Sequence, residues 1–241
     1  VTVRRASPRP SSLRAILFDL DHTLLDFDRA QRAALREALR DFSLPFAAAV
    51  LPNFRRINDE LWALYRRGGI AQAALAVERF RQLLLLMDAD PRRAKRLSES
   101  FLDHLGARGD RMPGCRALLA SLAKRHRLGV VTNGIDRVQR SRLEVAALPR
   151  FFGVVVTSEG CGFAKPDPRI LEVALRALEV RPEEALYVGD DPATDGEAAA
   201  RAGVAFCWIG GKPGARGPRP RVRTLAELGR LLRAPGQRRA L

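Results

Sequence analysis

Apolar residues in this chain follow two patterns. Five short, largely apolar runs, Ala15–Leu20, Leu128–Thr132, Val154–Thr157, Leu186–Gly189 and Ala205–Trp208, lack the alternation of a half-exposed strand. They predict strands buried on both faces, as in a parallel sheet. From Leu128 to Trp208 the runs alternate with segments of helical spacing, which predicts crossover helices. A long stretch after the first run has no strand pattern. There Leu35, Leu39 and Phe42, then Phe54, Ile57 and Leu61, recur at helical spacing, and Asp90-Pro91 reads as an N-cap with a first-turn proline before a helix towards Leu105. Leu225, Leu228, Leu231 and Leu232 mark a last, docking helix. The pattern as a whole predicts an α/β fold with a parallel sheet and a helical insert.

Polar clusters punctuate this pattern. The first run ends in Asp19-Leu20-Asp21-His22-Thr23, and two carboxylates two residues apart at a strand end are costly unless something compensates their charge. Ligands of open α/β sheets bind at that end, although Asp and Thr also suit a helix N-cap. Thr132-Asn133-Gly134 offers a hydroxyl and free backbone N–H groups fit for an anionic oxygen, or simply a strand-to-helix turn. Lys165 lies in Gly162-Phe163-Ala164-Lys165-Pro166-Asp167-Pro168. It is one of four lysines against 38 arginines, which points to a compact ammonium there, the alternative being a chance surface lysine. Gly189-Asp190-Asp191-Pro192-Ala193-Thr194-Asp195 places three carboxylates within six residues. Oxygen donors without histidine or cysteine favour a hard cation such as magnesium. Asp190 is the better metal candidate, and Asp191 fits a solvated helix start.

In order, Asp19-x-Asp21-x-Thr23, Thr132-Asn133, Lys165, and Gly189-Asp190 with Asp195 resemble the four signature motifs of the haloacid dehalogenase (HAD) superfamily, phosphatase branch. The segments Phe18 to Asp28, Asn58 to Phe80 and Val131 to Ile209 further resemble its pyrimidine 5′-nucleotidase group, through residues such as Leu61-Trp62, Tyr65, Gly69-Ile70 and Arg79-Phe80. The resemblance implies a Rossmann-like three-layer core at 15–26 and 109–234, with an inserted α-helical cap at 27–108. It implies a magnesium-dependent phosphomonoester hydrolase. Asp19 would be the nucleophile, forming an aspartyl-phosphate, and Asp21 the general acid and base. Thr132, Asn133 and Lys165 would bind phosphate. Asp19, the carbonyl of Asp21 and Asp190 would hold Mg2+, with Asp195 behind them. Haloacid dehalogenases lack the second acid, so Asp21 argues for phosphate chemistry. Many members carry Gly where His22 stands. Phe54, Trp62, Tyr65 and Arg79 are candidates for contacting a base or sugar. Nucleoside 5′-monophosphates, pyrimidines preferred, are the expected substrates. A small sugar phosphate or phosphoglycolate, a phosphomutase or dehalogenase on the same core, and a non-catalytic binding protein are the alternatives.

The formal charge of +15 changes this picture little, because residues 1–14 hold four arginines and no acid, and residues 212–241 nine basic residues and one glutamate. The ends therefore read as basic tails, at 1–14 and 235–241, with weak non-specific contact to nucleic acid at most. The expected partner is a small phosphorylated metabolite rather than nucleic acid or a membrane, and a homo-oligomer is compatible with the sequence. Cys115, Cys161 and Cys207 are odd in number and widely spaced, which reads as reduced thiols in a cytoplasmic protein.

Overall fold

A computed structural model describes residues 13–211 and 217–233. The chain runs β1 (Ala15–Phe18), α1 (Phe27–Asp41), α2 (Val50–Arg66), α3 (Gln72–Leu86), α4 (Ala94–Gly106), α5 (Cys115–Leu122), β2 (Arg127–Thr132), α6 (Asp136–Val145), β3 (Val154–Thr157), α7 (Ser158–Cys161), α8 (Arg169–Ala177), β4 (Ala185–Gly189), α9 (Glu197–Ala202), β5 (Ala205–Ile209), β6 (Arg221–Val222) and α10 (Leu225–Arg233). The six strands form one sheet in the order β3-β2-β1-β4-β5-β6, every pair parallel. This is the Rossmann-like core expected from the unbroken apolar runs, and all four residues of β1 are fully buried. Strands alternate their side chains across the sheet. Leu17, Val131 and Tyr187 accordingly share one face with Ile170, Leu171 and Ala174 of α8 and Ala198 and Ala199 of α9.

Strand order reverses at β1, with β2 and then β3 on one side and β4 onwards on the other. Crevices at such a switch point lie at the carboxyl ends of the strands. In register, Phe18 sits opposite both Val130 and Val188, so the segments after β1, β2 and β4 leave the sheet at nearly the same level.

Contacts divide the described chain into two compact units. One comprises the residues up to Asp26, Asp110–Asp136 and those from Ala146 onward; the other comprises Phe27–Gly109 and Arg137–Val145. Within the first unit the departing and returning segments pair. Asp26 N donates to Asp110 O at 2.7 Å, Met112 N donates to Leu24 O at 2.9 Å, and Leu25 bridges Arg111 in antiparallel fashion. The second unit is helical. Phe54, Phe80 and Phe101 of α2, α3 and α4 bring their ring centroids within 5.2–5.4 Å of one another. The Asp90 carboxylate accepts from Arg92 N at 2.9 Å, starting the turn that leads into α4 as the Asp-Pro pair predicts. Most of α6 belongs here too: Ser141 Oγ donates to Gly106 O at 3.0 Å, and Arg137 pairs with Asp103 at 2.8 Å.

The basic tails predicted at the two ends fall almost entirely in residues 1–12 and 234–241, outside the described residues. Arg14 is already tied to the sheet: its N–H donates to Glu184 O, and Arg127 N donates to its carbonyl. In α10, Leu225 and Leu228 are buried while Leu231 and Leu232 are half-buried. Among the described residues no helix is long and apolar enough to cross a membrane.

Candidate active site

Asp19 extends the β1 ladder by one residue, its N–H donating to Val188 O at 2.8 Å. The chain then turns sharply. His22 N donates to Leu25 O, and Leu24 N and Leu25 N both donate to Leu20 O. His22 adopts a φ of 58°, the left-handed region that costs a β-carbon, and its side chain is exposed. A Gly at this position would meet the same turn without that cost. Asp21 is half-buried, forming a bridge with Leu25.

From β2, Thr132 is buried at the strand end, and its Oγ1 accepts from Gly134 N at 3.4 Å. The Asn133 side-chain amide brackets the main chain of Lys165. Its Oδ1 accepts from Lys165 N at 2.7 Å and its Nδ2 donates to Lys165 O at 2.9 Å. The Lys165–Pro166 peptide is cis. Asp167 closes the loop by accepting from Arg169 N at the start of α8, at 3.0 Å.

Lys165 is 4% exposed and lies between carboxylates that are equally enclosed, Asp19 at 5% and Asp195 at 1%. Its Nζ donates to Asp19 Oδ1 at 2.5 Å and to Asp195 Oδ1 at 2.7 Å, and lies 3.0 Å from Tyr187 Oη and 3.3 Å from Val131 O. After β4, Asp191 turns its carboxylate locally, accepting from Ala193 N and Thr194 Oγ1 at 2.9 Å each. Asp190 instead joins Asp19 and Asp195 in a group in which one carboxylate oxygen of each lies within 4.8 Å of the others. Its own carbonyl accepts from Trp208 Nε1 at 2.9 Å. Asp195 Oδ2 accepts from Asp191 N at 3.1 Å. Gly189 is required by this packing, since a β-carbon there would sit 2.2 Å from Asp195 Oδ2.

The electrostatics follow from burial and charge. Desolvation pushes Asp19 well above the ordinary carboxylate range; Lys165 opposes this, and Asp195 and Asp190 add to it. Desolvation, then the charge of Asp195, pushes Asp190 up to about 7. Burial disfavours the Lys165 ammonium, but Asp19 and Asp195 outweigh it and leave Lys165 well above its usual value. A divalent cation would relieve the mutual repulsion that adds to the effect of burial on the two acids. Three carboxylates with no nitrogen or sulfur donor fit a hard ion such as magnesium rather than zinc.

The structure thus brings Asp19, Lys165, Asp190 and Asp195 together, with Thr132 at the neighbouring strand end, Asn133 on the Lys165 backbone, and Asp21 close enough to raise Asp190. Sequence reasoning missed Tyr187. The available signal was a lone hydroxyl in the aliphatic run Ala185–Val188, since a buried phenol needs a polar partner. The four candidates for contacting a base or sugar do not form one group. Phe54 is fully buried in the ring cluster, with Arg79 over its face, while Trp62 and Tyr65 are half-buried and pack edge to face at 5.3 Å.

Comparison with known proteins gives a consistent picture. The chain is 31% identical over 222 residues to pyrimidine 5′-nucleotidase YjjG of Escherichia coli (strain K12), covering 90% of this chain and 96% of that protein. It is 35% identical over 221 residues to a phosphoserine phosphatase of Thermus thermophilus, covering 82% and 88% respectively. Among solved structures, the HAD-hydrolase YfnB of Bacillus subtilis, bound to magnesium, superposes with a TM-score of 0.84 at 27% identity, over 92% of this chain and 99% of that one. Residues 16–209, from the first buried strand through the fifth, match the family described as haloacid dehalogenase-like hydrolase. With the sheet order, the strand-end acids and the enclosed lysine in place, this chain belongs to the haloacid dehalogenase-like hydrolases.

Proposed function

We propose that the protein is a magnesium-dependent phosphomonoester hydrolase working through an aspartyl-phosphate on Asp19. The observation that carries this reading is the Lys165 ammonium held 2.5 Å from Asp19 in a group of three carboxylates. A buried cation beside a nucleophilic carboxylate offsets the charge that would otherwise repel a phosphate dianion. Asp19 and Asp190, with the main-chain carbonyl of Asp21, would hold Mg2+, and Asp195 would support them from behind. The ion would lower the repulsion between carboxylate and phosphate.

In the first half-reaction an Asp19 carboxylate oxygen bonds to phosphorus, the ester P–O bond breaks, and Asp21 gives its proton to the leaving oxygen. In the second, Asp21 takes a proton from water as the water attacks phosphorus, which releases phosphate and restores Asp19. Thr132, the Lys165 ammonium and the backbone N–H of Asn133 bind the non-reacting oxygens, because the Asn133 side chain is engaged with Lys165. These residues address phosphate alone. Choice of the leaving group is assigned to the helical segment 27–108, the cap of the family resemblance, and nucleoside 5′-monophosphates with pyrimidines preferred are the leading substrates. Similarity to the nucleotidase YjjG supports that choice. Similarity to a phosphoserine phosphatase at 35% identity supports a second reading, a small phosphorylated acid or sugar.

The test is magnesium-dependent release of phosphate from an aryl phosphate by wild type and Asp19→Asn. A loss of roughly 10³-fold or more is expected, and comparable turnover would rule out the covalent route. A phosphomonoester panel ranked by kcat/KM then decides the substrate. If uridine, deoxyuridine and thymidine 5′-monophosphates all fall about tenfold or more behind small phosphates, ~1.4 kcal/mol of discrimination, the nucleotidase reading is dropped.

A further inference from the structure

Trp208 stands in none of the four motifs, yet its indole reaches the chain that carries the acids. In register it lies beside Gly189, and its Nε1 donates to the carbonyl of Asp190 at 2.9 Å. The N–H of that same peptide unit, carried by Asp191, donates to Asp195 Oδ2 at 3.1 Å. We propose that Trp208 is a positioning residue for the divalent cation: it fixes the Asp190–Asp191 peptide from the β5 side, so that the Asp190 carboxylate is held in place beside those of Asp19 and Asp195. The inference rests on the magnesium reading of this site.

The Asp190–Asp191 peptide is trans, so its C=O and N–H leave opposite edges of one plane. Both edges are gripped, one by the indole and the other by Asp195. Turning the plane means rotating ψ of Asp190 and φ of Asp191, and that lengthens one hydrogen bond or the other. Because ψ of Asp190 also relates the plane to the Asp190 β-carbon, the grip limits where this carboxylate leaves the chain. The turn after it brings Asp195 back onto the same peptide: Asp195 N donates to Asp191 O at 2.8 Å.

The indole can serve as a fixed point because it is itself held. Trp208 is buried, its backbone N–H donates to Pro220 O at 3.0 Å, and Gly210 N donates to Val222 O at 2.8 Å. The Arg221 guanidinium carbon lies 4.3 Å from the ring centroid, and Arg221 Nε donates to Gly210 O at 3.0 Å. Gly211 and Gly217 approach so closely that a β-carbon on either would come within 2.6 Å of the ring, at Cζ2 and Cζ3 respectively. Without the indole donor the peptide would be tethered on one edge only, to a carboxylate that repels the one on Asp190. Asp190 is half-buried, so water can take up the vacated carbonyl bond, but water is not anchored to a strand. What is lost is position rather than hydrogen-bond energy, and the cation must then order its own ligand as it binds.

The test is magnesium affinity, measured by calorimetry on the full chain without phosphate. Trp208→Phe keeps an aromatic ring and removes the donor, and affinity is expected to fall about tenfold, ~1.4 kcal/mol, the lower end of what losing a group that orients a ligand costs. Phenylalanine is also smaller, so a second pair of proteins separates the donor from the packing. The chain has two tryptophans, and in a Trp62→Phe background tryptophan analogues enter position 208 alone. There β-(3-benzothienyl)alanine, which replaces the N–H with sulfur at nearly constant shape, should lose as much affinity as Trp208→Phe. In the same background 5-fluorotryptophan, which keeps the N–H, should restore binding to within about twofold of the tryptophan form. If the benzothienyl protein binds magnesium within about twofold of its tryptophan counterpart, the ring is packing alone and the proposal is overturned, whatever Trp208→Phe does. A Trp208→Phe chain that fails to fold leaves the analogue pair to decide. A wild type that binds no magnesium overturns the metal reading itself, an outcome distinct from failure of this inference, in which wild type and benzothienyl protein bind the ion alike.

Discussion

Two of the buried cations, Lys165 in the first unit and Arg79 in the second, are housed in opposite ways. Lys165 has two carboxylates within 2.7 Å, and every ammonium donor finds an acceptor. Arg79, 4% exposed in the helical unit, pairs with no carboxylate among the described residues. Its Nη1 donates to Asn58 Oδ1 at 3.1 Å, and its Nε and Nη2 are buried without a hydrogen-bond partner. Phe54, Phe80 and Phe101 receive the guanidinium on their faces, its carbon 4.9–5.7 Å from the ring centroids. Burial pulls Arg79 down to about 9, still charged at neutral pH. Quadrupolar ring faces stabilise a charge without demanding one geometry, whereas paired carboxylates fix an ammonium to a fraction of an ångström. The first arrangement behaves as packing and the second as machinery.

Substitutions should separate them by sign. Lys165→Ala leaves Asp19 and Asp195 buried without their counter-charge, and the metal-free protein should lose about 3–5 kcal/mol in denaturant unfolding. A smaller loss, about 1–3 kcal/mol, is expected for Gly189→Ala by the same measurement, because the new β-carbon needs the space of a carboxylate the lysine holds in place. Arg79→Met removes a charge that no carboxylate among the described residues balances, and keeps much of the volume between the rings. Its unfolding free energy should stay level or rise by up to about 2 kcal/mol. Should it fall as far as that of Lys165→Ala, the contrast between the two cations collapses.

The smallest effect concerns pH. The ordinary value of Asp190 is 3.8 and its value in the folded protein is about 7. Between the two the folded state keeps a proton that the unfolded state has lost. Stability of the metal-free protein should therefore fall as pH rises through this window, by a few degrees in Tm. Asp190→Asn should flatten that slope in thermal melts at pH 5.5 and 8, and magnesium should raise Tm more at the higher pH, where its ligands are ionised. A wild-type slope that survives Asp190→Asn would place the responsible proton elsewhere.

Much of this was legible because parallel strands couple local pattern to distant geometry. An unbroken apolar run marks a strand buried on both faces, and a polar residue just after it must sit at the sheet edge where the other strands also end. Asp19 and Asp190, 171 positions apart, meet on that basis, while Lys165 reaches them from the loop after α7. The strand β6 escaped because two residues carry no period. The grouping of most of α6 with the helical unit escaped because it rests on contacts such as Ser141 with Gly106, 35 positions upstream, which leave no local trace. Arg79 could be read as a surface or ligand-facing residue until its rings were placed, since three phenylalanines on three helices converge only in the fold. Tyr187 looked like one more apolar position in a strand.

The paired segments 24–26 and 110–112 have a consequence for how such a protein can be remodelled. Because the chain departs and returns side by side, joined by Asp26 N to Asp110 O and Met112 N to Leu24 O, the sheet is closed off from the length of what lies between. Closing a loop costs only logarithmically more as it lengthens, and here the ends are already stapled. Eighty-odd helical residues could be exchanged for a longer or shorter graft with no strand displaced. What a graft must still match is the exposed flank of 137–145, which the present helices cover with Asp103 and Gly106. Recombination in this scaffold therefore has two seams rather than one, and the second is invisible to anyone cutting at the first.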